Sequence, residues 1–132
     1  MIQSLNNVEV ITLFVESVRR VRGFYEEVFG LTVIFEDEVS AVFRIHGLML
    51  NLLEISKAHT LVDPATVADQ ASGSRFMFTI AVDDADAACA ELRAHDVALL
   101  NGPIDRPWGR RTAAFADPAG NVWEVAQVLP RP

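Results

Sequence analysis

The hydrophobic pattern in the first half of the chain predicts one strand, one helix and three further strands, in that order. The helix covers 18–29, where apolar residues recur at helical spacing. Ser17 before it is a good N-cap residue, and Gly30 suits the position just past its end. The other segments are short and rich in β-branched and apolar residues, as strands are. These predicted strands are 8–15, 31–35, 41–45 and 48–55.

The same order of elements recurs in the second half of the chain. A helix over 85–95 follows Asp83 and Asp84, either of which can serve as its N-cap. The predicted strands around it are 75–82, 97–100, 110–115 and 121–128. The chain therefore looks like two copies of one β-α-β-β-β unit, and an internal repeat of this length is informative about fold. We predict a single domain, residues 1–132, made of modules at about 5–56 and 74–128.

A linker at 57–73 joins the two modules. Asp63-Pro64 is predicted to start a short helix, and Ser72-Gly73-Ser74 is typical of flexible chain. A connection of this length is often functional or mobile. The alternative is a simple spacer between the modules.

Composition narrows the classes of function. Eighteen acidic and eleven basic residues give a net charge of −7, which argues against nucleic acid as a partner because phosphates would be repelled. An acidic protein can instead attract a cationic small molecule. No apolar run approaches the length of a membrane span, and the first residues lack the features of a signal peptide. The lone Cys89 fits a reducing compartment, so we expect a cytoplasmic protein that does not bind membranes.

Two segments carry a family resemblance. FYEEVFGL (24–31) and WGRRTAAFADPAGNVWEV (108–125), within the paired modules, resemble the vicinal oxygen chelate superfamily. Glyoxalases, extradiol dioxygenases and bleomycin resistance proteins belong to it, and the PWGR leading into DPAGN is closest to bleomycin-binding members. The resemblance implies an α+β fold in which tandem βαβββ modules form a curled mixed sheet shaped like a cup. It also implies a homodimer.

Metal-dependent members place ligands on the first and last strand of each module. By this resemblance the four positions fall on Val10, Asn51, Met77 and Glu124. Only Glu124 is a conventional ligand for a hard metal, whereas catalytic zinc sites usually use three protein donors. We therefore expect no metal and no other cofactor. The alternative is a divalent metal ion held by Glu124 together with residues outside these positions.

Strand alternation then predicts which residues face the cup. With the loop residues Trp108 and Arg111 added for stacking and for ion pairing, the predicted ligand-binding residues are Val10, Thr12, Phe14, Met49, Asn51, Met77, Thr79, Trp108, Arg111 and Glu124. A mostly apolar surface with few polar groups is typical of small-molecule pockets. The competing interpretation is that these residues pack against one another or across a dimer contact, with Trp108 covering core.

Three functions are compatible with this pattern. The first is a small-molecule-binding protein without the usual metal ligands, which sequesters a hydrophobic or cationic compound. The second is a lyase, isomerase or dioxygenase of the same superfamily that uses Glu124, with a metal or as a catalytic general base whose pKa an apolar pocket would raise. The third is an interaction module that uses the same surfaces for assembly.

Overall fold

The computed structural model describes residues 2–131. It contains two compact units, one ending at Ser72 and the other starting at Gly73. Each unit holds one four-stranded mixed sheet and at least one helix. Among the described residues, none of the helices is long and apolar enough to cross a membrane.

The first unit has the predicted β-α-β-β-β order, followed by a second helix. Its sheet order is β1-β4-β3-β2, in which β1 pairs with β4 in parallel and the other neighbours are antiparallel. The elements are β1 (Val10–Val15), α1 (Val18–Glu27), β2 (Val33–Glu36), β3 (Ser40–Ile45), β4 (Leu48–Glu54) and α2 (Ile55–Val62), with a 3-10 turn at Gln70–Ser72.

The second unit repeats this arrangement. Its sheet order is β5-β8-β7-β6, again with the first and last strands parallel. The elements are β5 (Phe78–Ala81), α3 (Ala85–Ala94), β6 (Leu99–Arg106), β7 (Arg110–Ala116) and β8 (Val122–Val128). The α+β fold of tandem βαβββ units is thus confirmed.

Side-chain caps fix where the two equivalent helices begin. Ser17 Oγ accepts a hydrogen bond from the Arg20 amide at 3.4 Å. Asp84 Oδ1 accepts one from the Ala87 amide at 3.0 Å, so Asp84 rather than Asp83 is the N-cap of α3. Each bond satisfies one of the amides that a helix start leaves without a partner.

The prediction of a helix beginning at Asp63-Pro64 was wrong. Helix α2 follows β4 directly, and Asp63 is the residue that ends it. Its apolar side is anchored by Ala58, which is fully buried. The helix stops at Asp63 because a residue before proline is disfavoured in helical conformation.

Alternation along the central strands divides each sheet into two faces. Residues of these strands on the helix-covered face are buried: Leu13, Val15, Leu50, Leu52, Trp123 and Val125. The opposite face is mixed, with several side chains half-buried or exposed. The core of each unit therefore lies between helix and sheet, which leaves the other face of the sheet available for a site.

The DPAGN turn before β8 is held by a buried carboxylate. Asp117 is only 4% exposed. Its Oδ1 accepts hydrogen bonds from the amides of Ala119 and Asn121, each at 2.9 Å, and its Oδ2 accepts one from Asn121 Nδ2 at 3.0 Å. This motif thus has a structural role, which is to fix the chain at the start of the strand that carries Glu124.

Candidate functional site

The open sheet face of the second unit presents Glu124 beside a threonine. Glu124 on β8 lies directly opposite Thr79 on the parallel strand β5. The Thr79 hydroxyl donates a hydrogen bond to Glu124 Oε1 at 3.0 Å, and Glu124 is half-buried. Among residues 2–131, no Lys, Arg or His forms an ion pair with this carboxylate. It is therefore fixed in direction but not neutralised.

The first unit has an equivalent pair. Asn51 on β4 lies opposite Thr12 on β1, and Asn51 Nδ2 donates to Thr12 Oγ1 at 3.4 Å. The Asn51 carbonyl oxygen is enclosed by protein but accepts no hydrogen bond from the described residues. A buried acceptor without a partner costs about 1–3 kcal/mol, which a donor group that reached this oxygen would recover.

Apolar side chains surround the Thr12–Asn51 pair in the first unit. Val10 pairs with Met49 at one end of the strand pair, and Phe14 pairs with Leu53 at the other. Val10 is 37% exposed, whereas Met49 and Phe14 are half-buried. The structure thus brings the predicted ligand-binding residues of this unit onto one sheet face.

The corresponding face of the second unit is built on small residues. Met77 precedes β5 instead of lying within it, because this strand starts at Phe78 and not at 75 as predicted, and Met77 is 45% exposed. Cross-strand pairing puts four alanines on the same face as Glu124: Ala81, Ala114, Ala116 and Ala126. Ala114 and Ala126 are buried, Ala116 is half-buried and Ala81 is exposed, so these methyl groups form a recessed floor beside Glu124.

The side chains at the four family positions do not fit a hard divalent metal. In the first unit Val10 offers no donor and Asn51 offers an amide oxygen; in the second, Met77 offers a soft thioether and Glu124 a carboxylate. Within the described part of the chain, no group of three or more His, Cys, Asp and Glu side chains is placed to hold a metal ion. The donor set therefore disagrees with the metal chemistry of the superfamily's enzymes.

Arg111 lies on the other face of the sheet from Glu124. It donates from Nε to Asp105 Oδ1 at 2.7 Å and from Nη1 to Asp86 Oδ2 at 3.0 Å, and Asp86 belongs to the first turn of α3. The hydrogen bond from Arg111 lowers the pKa of the Asp105 carboxyl, and the same bond raises the pKa of Arg111. Its strand partner Gln127 also contacts the start of α3, through the Ala85 amide. The structure does not bring Arg111 to the predicted site, because its position in the β7 alternation points it toward the helix.

Arg106 is not among the ligand-binding residues predicted from the sequence, but it lies on the same sheet face as Glu124. Its Nε donates to Thr112 Oγ1 at 2.9 Å, and its Nη2 donates to Asn101 Oδ1 at 3.3 Å. Thr112 faces the same way as Glu124 because it pairs with Ala126 on β8. Arg106 could have been identified from the alternation of side chains along β7 and its pairing with β6. That inference requires the pairing register of the two strands, which the sequence pattern does not contain.

Trp108 lies in the turn at 107–109 between Arg106 and Arg110. Its side chain is 68% exposed, so it does not cover core. A large exposed aromatic side chain, in a turn that an arginine flanks on each side in sequence, is a suitable surface for stacking a planar ligand.

The chain matches one protein-family model over most of its length. Residues 7–125 match the model of the Glyoxalase/Bleomycin resistance protein/Dioxygenase superfamily. No curated protein sequence is significantly similar to the chain.

Solved structures share the fold at low sequence identity. A glyoxalase/bleomycin resistance protein/dioxygenase from Nocardioides has a TM-score of 0.86 at 23% identity, covering 98% of this chain and 87% of its own. A glyoxalase-related enzyme from Fulvimarina pelagi has a TM-score of 0.79 at 23% identity, covering 93% and 88%. A lactoylglutathione lyase from Agrobacterium tumefaciens has a TM-score of 0.75 at 20% identity, covering 95% and 96%. At these identities the likeness is one of fold alone.

Proposed function

Because the chain belongs to the Glyoxalase/Bleomycin resistance protein/Dioxygenase superfamily, we propose that it binds a small organic molecule through the open sheet faces, without a metal ion. The observation that carries this proposal is the Glu124 carboxylate. It is half-buried and held by Thr79, and no cationic side chain of the described residues neutralises it.

A carboxylate in this setting favours a ligand with a positive charge. Removing an ion from water costs several kcal/mol unless a partner of opposite charge compensates it. The alanine floor beside Glu124 offers apolar contact to the rest of the molecule. The net charge of −7 adds a weaker, long-range attraction for cations. The face of the first unit has a polar group of its own, the Asn51 carbonyl oxygen, which lacks a hydrogen-bond partner among the described residues.

Titration with hexylamine, a simple primary alkylammonium, tests the proposal. We expect saturable shifts in the protein's amide NMR spectrum, with affinity reduced about tenfold or more in Glu124→Gln, since charged hydrogen bonds contribute about 1.5–3 kcal/mol. Glu91→Gln is the matched control because Glu91 is exposed on α3 and the substitution changes the net charge equally. Equal affinity in the wild type and Glu124→Gln would contradict the proposal.

Elemental analysis of protein purified without chelators tests the metal-independent part. We expect less than stoichiometric divalent metal and unchanged hexylamine affinity after treatment with EDTA. One tightly bound metal ion per chain, lost in Glu124→Gln and required for ligand binding, would show instead that Glu124 is a metal ligand.

A further inference from the structure

A second charged group lies on the same sheet face as Glu124. The Arg106 guanidinium rests over β7 through its hydrogen bond to Thr112 and reaches Asn101 on its own strand. Both oxygens that it contacts belong to neutral side chains. Arg106 is half-buried and, within residues 2–131, makes no ion pair.

Two other arginines of the described chain have carboxylate partners. Arg22 pairs with Glu26 and Glu36, and Arg111 pairs with Asp86 and Asp105. Arg106 differs from these two arginines because neutral oxygens accept the hydrogen bonds of its Nε and Nη2. Its remaining donors are available to an anion, which guanidinium groups bind through paired hydrogen bonds.

Arg110 adds positive charge to the same end of this face. It pairs with Arg106 across the β6–β7 hairpin and lines a hollow of about 240 Å³ whose other walls include Ala81, Asp83 and Ala126. It also makes no ion pair among the described residues. Two guanidinium groups without ion pairs lie on neighbouring strands here, against the one carboxylate of Asp83, so positive charge predominates at this end of the face.

The sheet register sets the distance between the two charged ends. Glu124 is opposite Ala114, and Ala114 is opposite Asn101, the residue that Arg106 Nη2 contacts. Two strand spacings separate Glu124 from Asn101, which amounts to about 10 Å. The strand between them contributes only the methyl group of Ala114 along this row. A small molecule can therefore contact both charged ends at once.

We propose that this face binds an amphoteric small molecule, with its cationic group at Glu124 and an oxyanion, either carboxylate or phosphate, at Arg106. This inference rests on the proposed function and extends it, because it adds an anionic group to the ligand. It also makes Arg106 a specificity-determining residue. A compound that carries only a positive charge can bind Glu124 but offers no anionic group to Arg106.

Four probes with the same six-carbon chain test the inference: hexylamine, hexanoate, 6-aminohexanoate and 6-aminohexyl phosphate. Their dissociation constants are measured by NMR titration of the wild type, Arg106→Gln, Glu124→Gln and Arg111→Gln. We expect at least one of the two amphoteric probes to bind about tenfold more tightly than hexylamine. The stronger of the two identifies the oxyanion as carboxylate or phosphate.

The variants separate the roles of the residues. Arg106→Gln removes the advantage of the amphoteric probe and leaves hexylamine affinity unchanged. Glu124→Gln weakens hexylamine and leaves hexanoate unchanged. Arg111→Gln is the matched control, since it removes the same charge from the opposite sheet face and should alter none of the four affinities.

Three outcomes overturn the inference. If neither amphoteric probe binds wild-type protein more tightly than hexylamine, Arg106 does not bind an oxyanion of the ligand. This result does not depend on the stability of the variants, and the proposed function stands. The same holds if Arg106→Gln and Arg111→Gln have equal effects. If none of the probes gives a saturable shift, both the inference and the proposed function fail.

Discussion

The Thr79 hydroxyl donates a 3.0 Å hydrogen bond to the Glu124 carboxylate across the parallel strands β5 and β8. The equivalent strands of the first unit carry Thr12 and Asn51, joined by a 3.4 Å hydrogen bond. The repeat thus preserves a threonine that fixes the polar group of the last strand. The two units differ in what the threonine contacts, an acidic side chain in one and an amide in the other.

Replacing Thr79 with valine should weaken cation binding without unfolding the protein. Valine keeps the shape of threonine but removes the hydrogen bond that directs Glu124, and Thr79 is exposed. We expect hexylamine affinity to fall about fivefold, equivalent to about 1 kcal/mol, with little change in the free energy of unfolding. Thr12→Val is the control, because the group it directs carries no charge. Equal losses in both variants would contradict a specific role for the Thr79–Glu124 pair.

Periodicity was sufficient to predict the repeated unit. Apolar residues at helical spacing identified α1 and α3, and the short apolar runs around them identified the strands that pack against these helices. Elements that are not marked by a run or a periodicity of apolar residues were predicted at the wrong positions. Strand β6 extends to Arg106 through Gly102-Pro103, residues that resemble a loop, and register shifts interrupt its pairing with β7. Such irregularities depend on tertiary pairing and leave little trace in hydrophobicity.

The sequence predicted the site residues whose position depends only on the alternation of side chains along one strand. Asn51 and Glu124 lie on the expected faces, opposite Thr12 and Thr79. Arginines near the hairpin were not assigned correctly, because the face of a residue there depends on turn length and cross-strand register. A shift of one residue exchanges the two faces of a strand. For this reason the sequence pattern pointed to Arg111, whereas Arg106 and Arg110 are the hairpin arginines on the Glu124 face.

Replacing Asp117 with alanine should destabilise the second unit. The substitution leaves the donors of Ala119 and Asn121 without their acceptor in a buried turn. We expect the free energy of unfolding, measured with urea, to fall by about 2–3 kcal/mol. Asp63→Ala is the control, since Asp63 is exposed and its side chain has no such role. A loss below about 0.5 kcal/mol would contradict the structural role of the DPAGN turn.

Three glycine-to-alanine substitutions should give graded effects on stability. At Gly102 a Cβ atom would lie 2.4 Å from the Thr112 carbonyl oxygen, and φ is +88°. Gly30 has φ of +67° but open space, and Gly23 lies in α1 with neither constraint. In urea unfolding we expect losses of about 3 kcal/mol or more at Gly102 and about 1 kcal/mol at Gly30. At Gly23 we expect a gain of about 0.5–1 kcal/mol. Equal effects at Gly102 and Gly30 would show that the close approach of β6 to β7 is absent.

The Asp105–Arg111 pair should contribute to stability only above acidic pH. Arg111 lowers the pKa of Asp105 in the folded protein below its ordinary value of about 3.9. The stabilisation is therefore fully present above the pKa of the unfolded chain and is lost as pH falls through the lower folded pKa. In urea unfolding at pH 7, 5, 4 and 3, the difference between wild type and Asp105→Asn should be constant down to about pH 5 and shrink below about pH 4. Asp83→Asn, an exposed position, should show no such trend. A difference that grows on acidification would reverse the sign and contradict the ion pair.

Trp108 should report ligand binding at the Arg106 end of the face. The chain has two tryptophans; Trp108 is 68% exposed, whereas Trp123 is 4% exposed. Acrylamide should therefore quench mainly Trp108, and Trp108→Phe should remove the quenchable fraction of the fluorescence. A planar amphoteric probe, 4-(aminomethyl)benzoate, should protect Trp108 from acrylamide because the indole stacks on the ring of the probe. The protection should disappear in Arg106→Gln and persist in Arg111→Gln. Unchanged quenching at saturating probe would show that Trp108 does not contact the ligand.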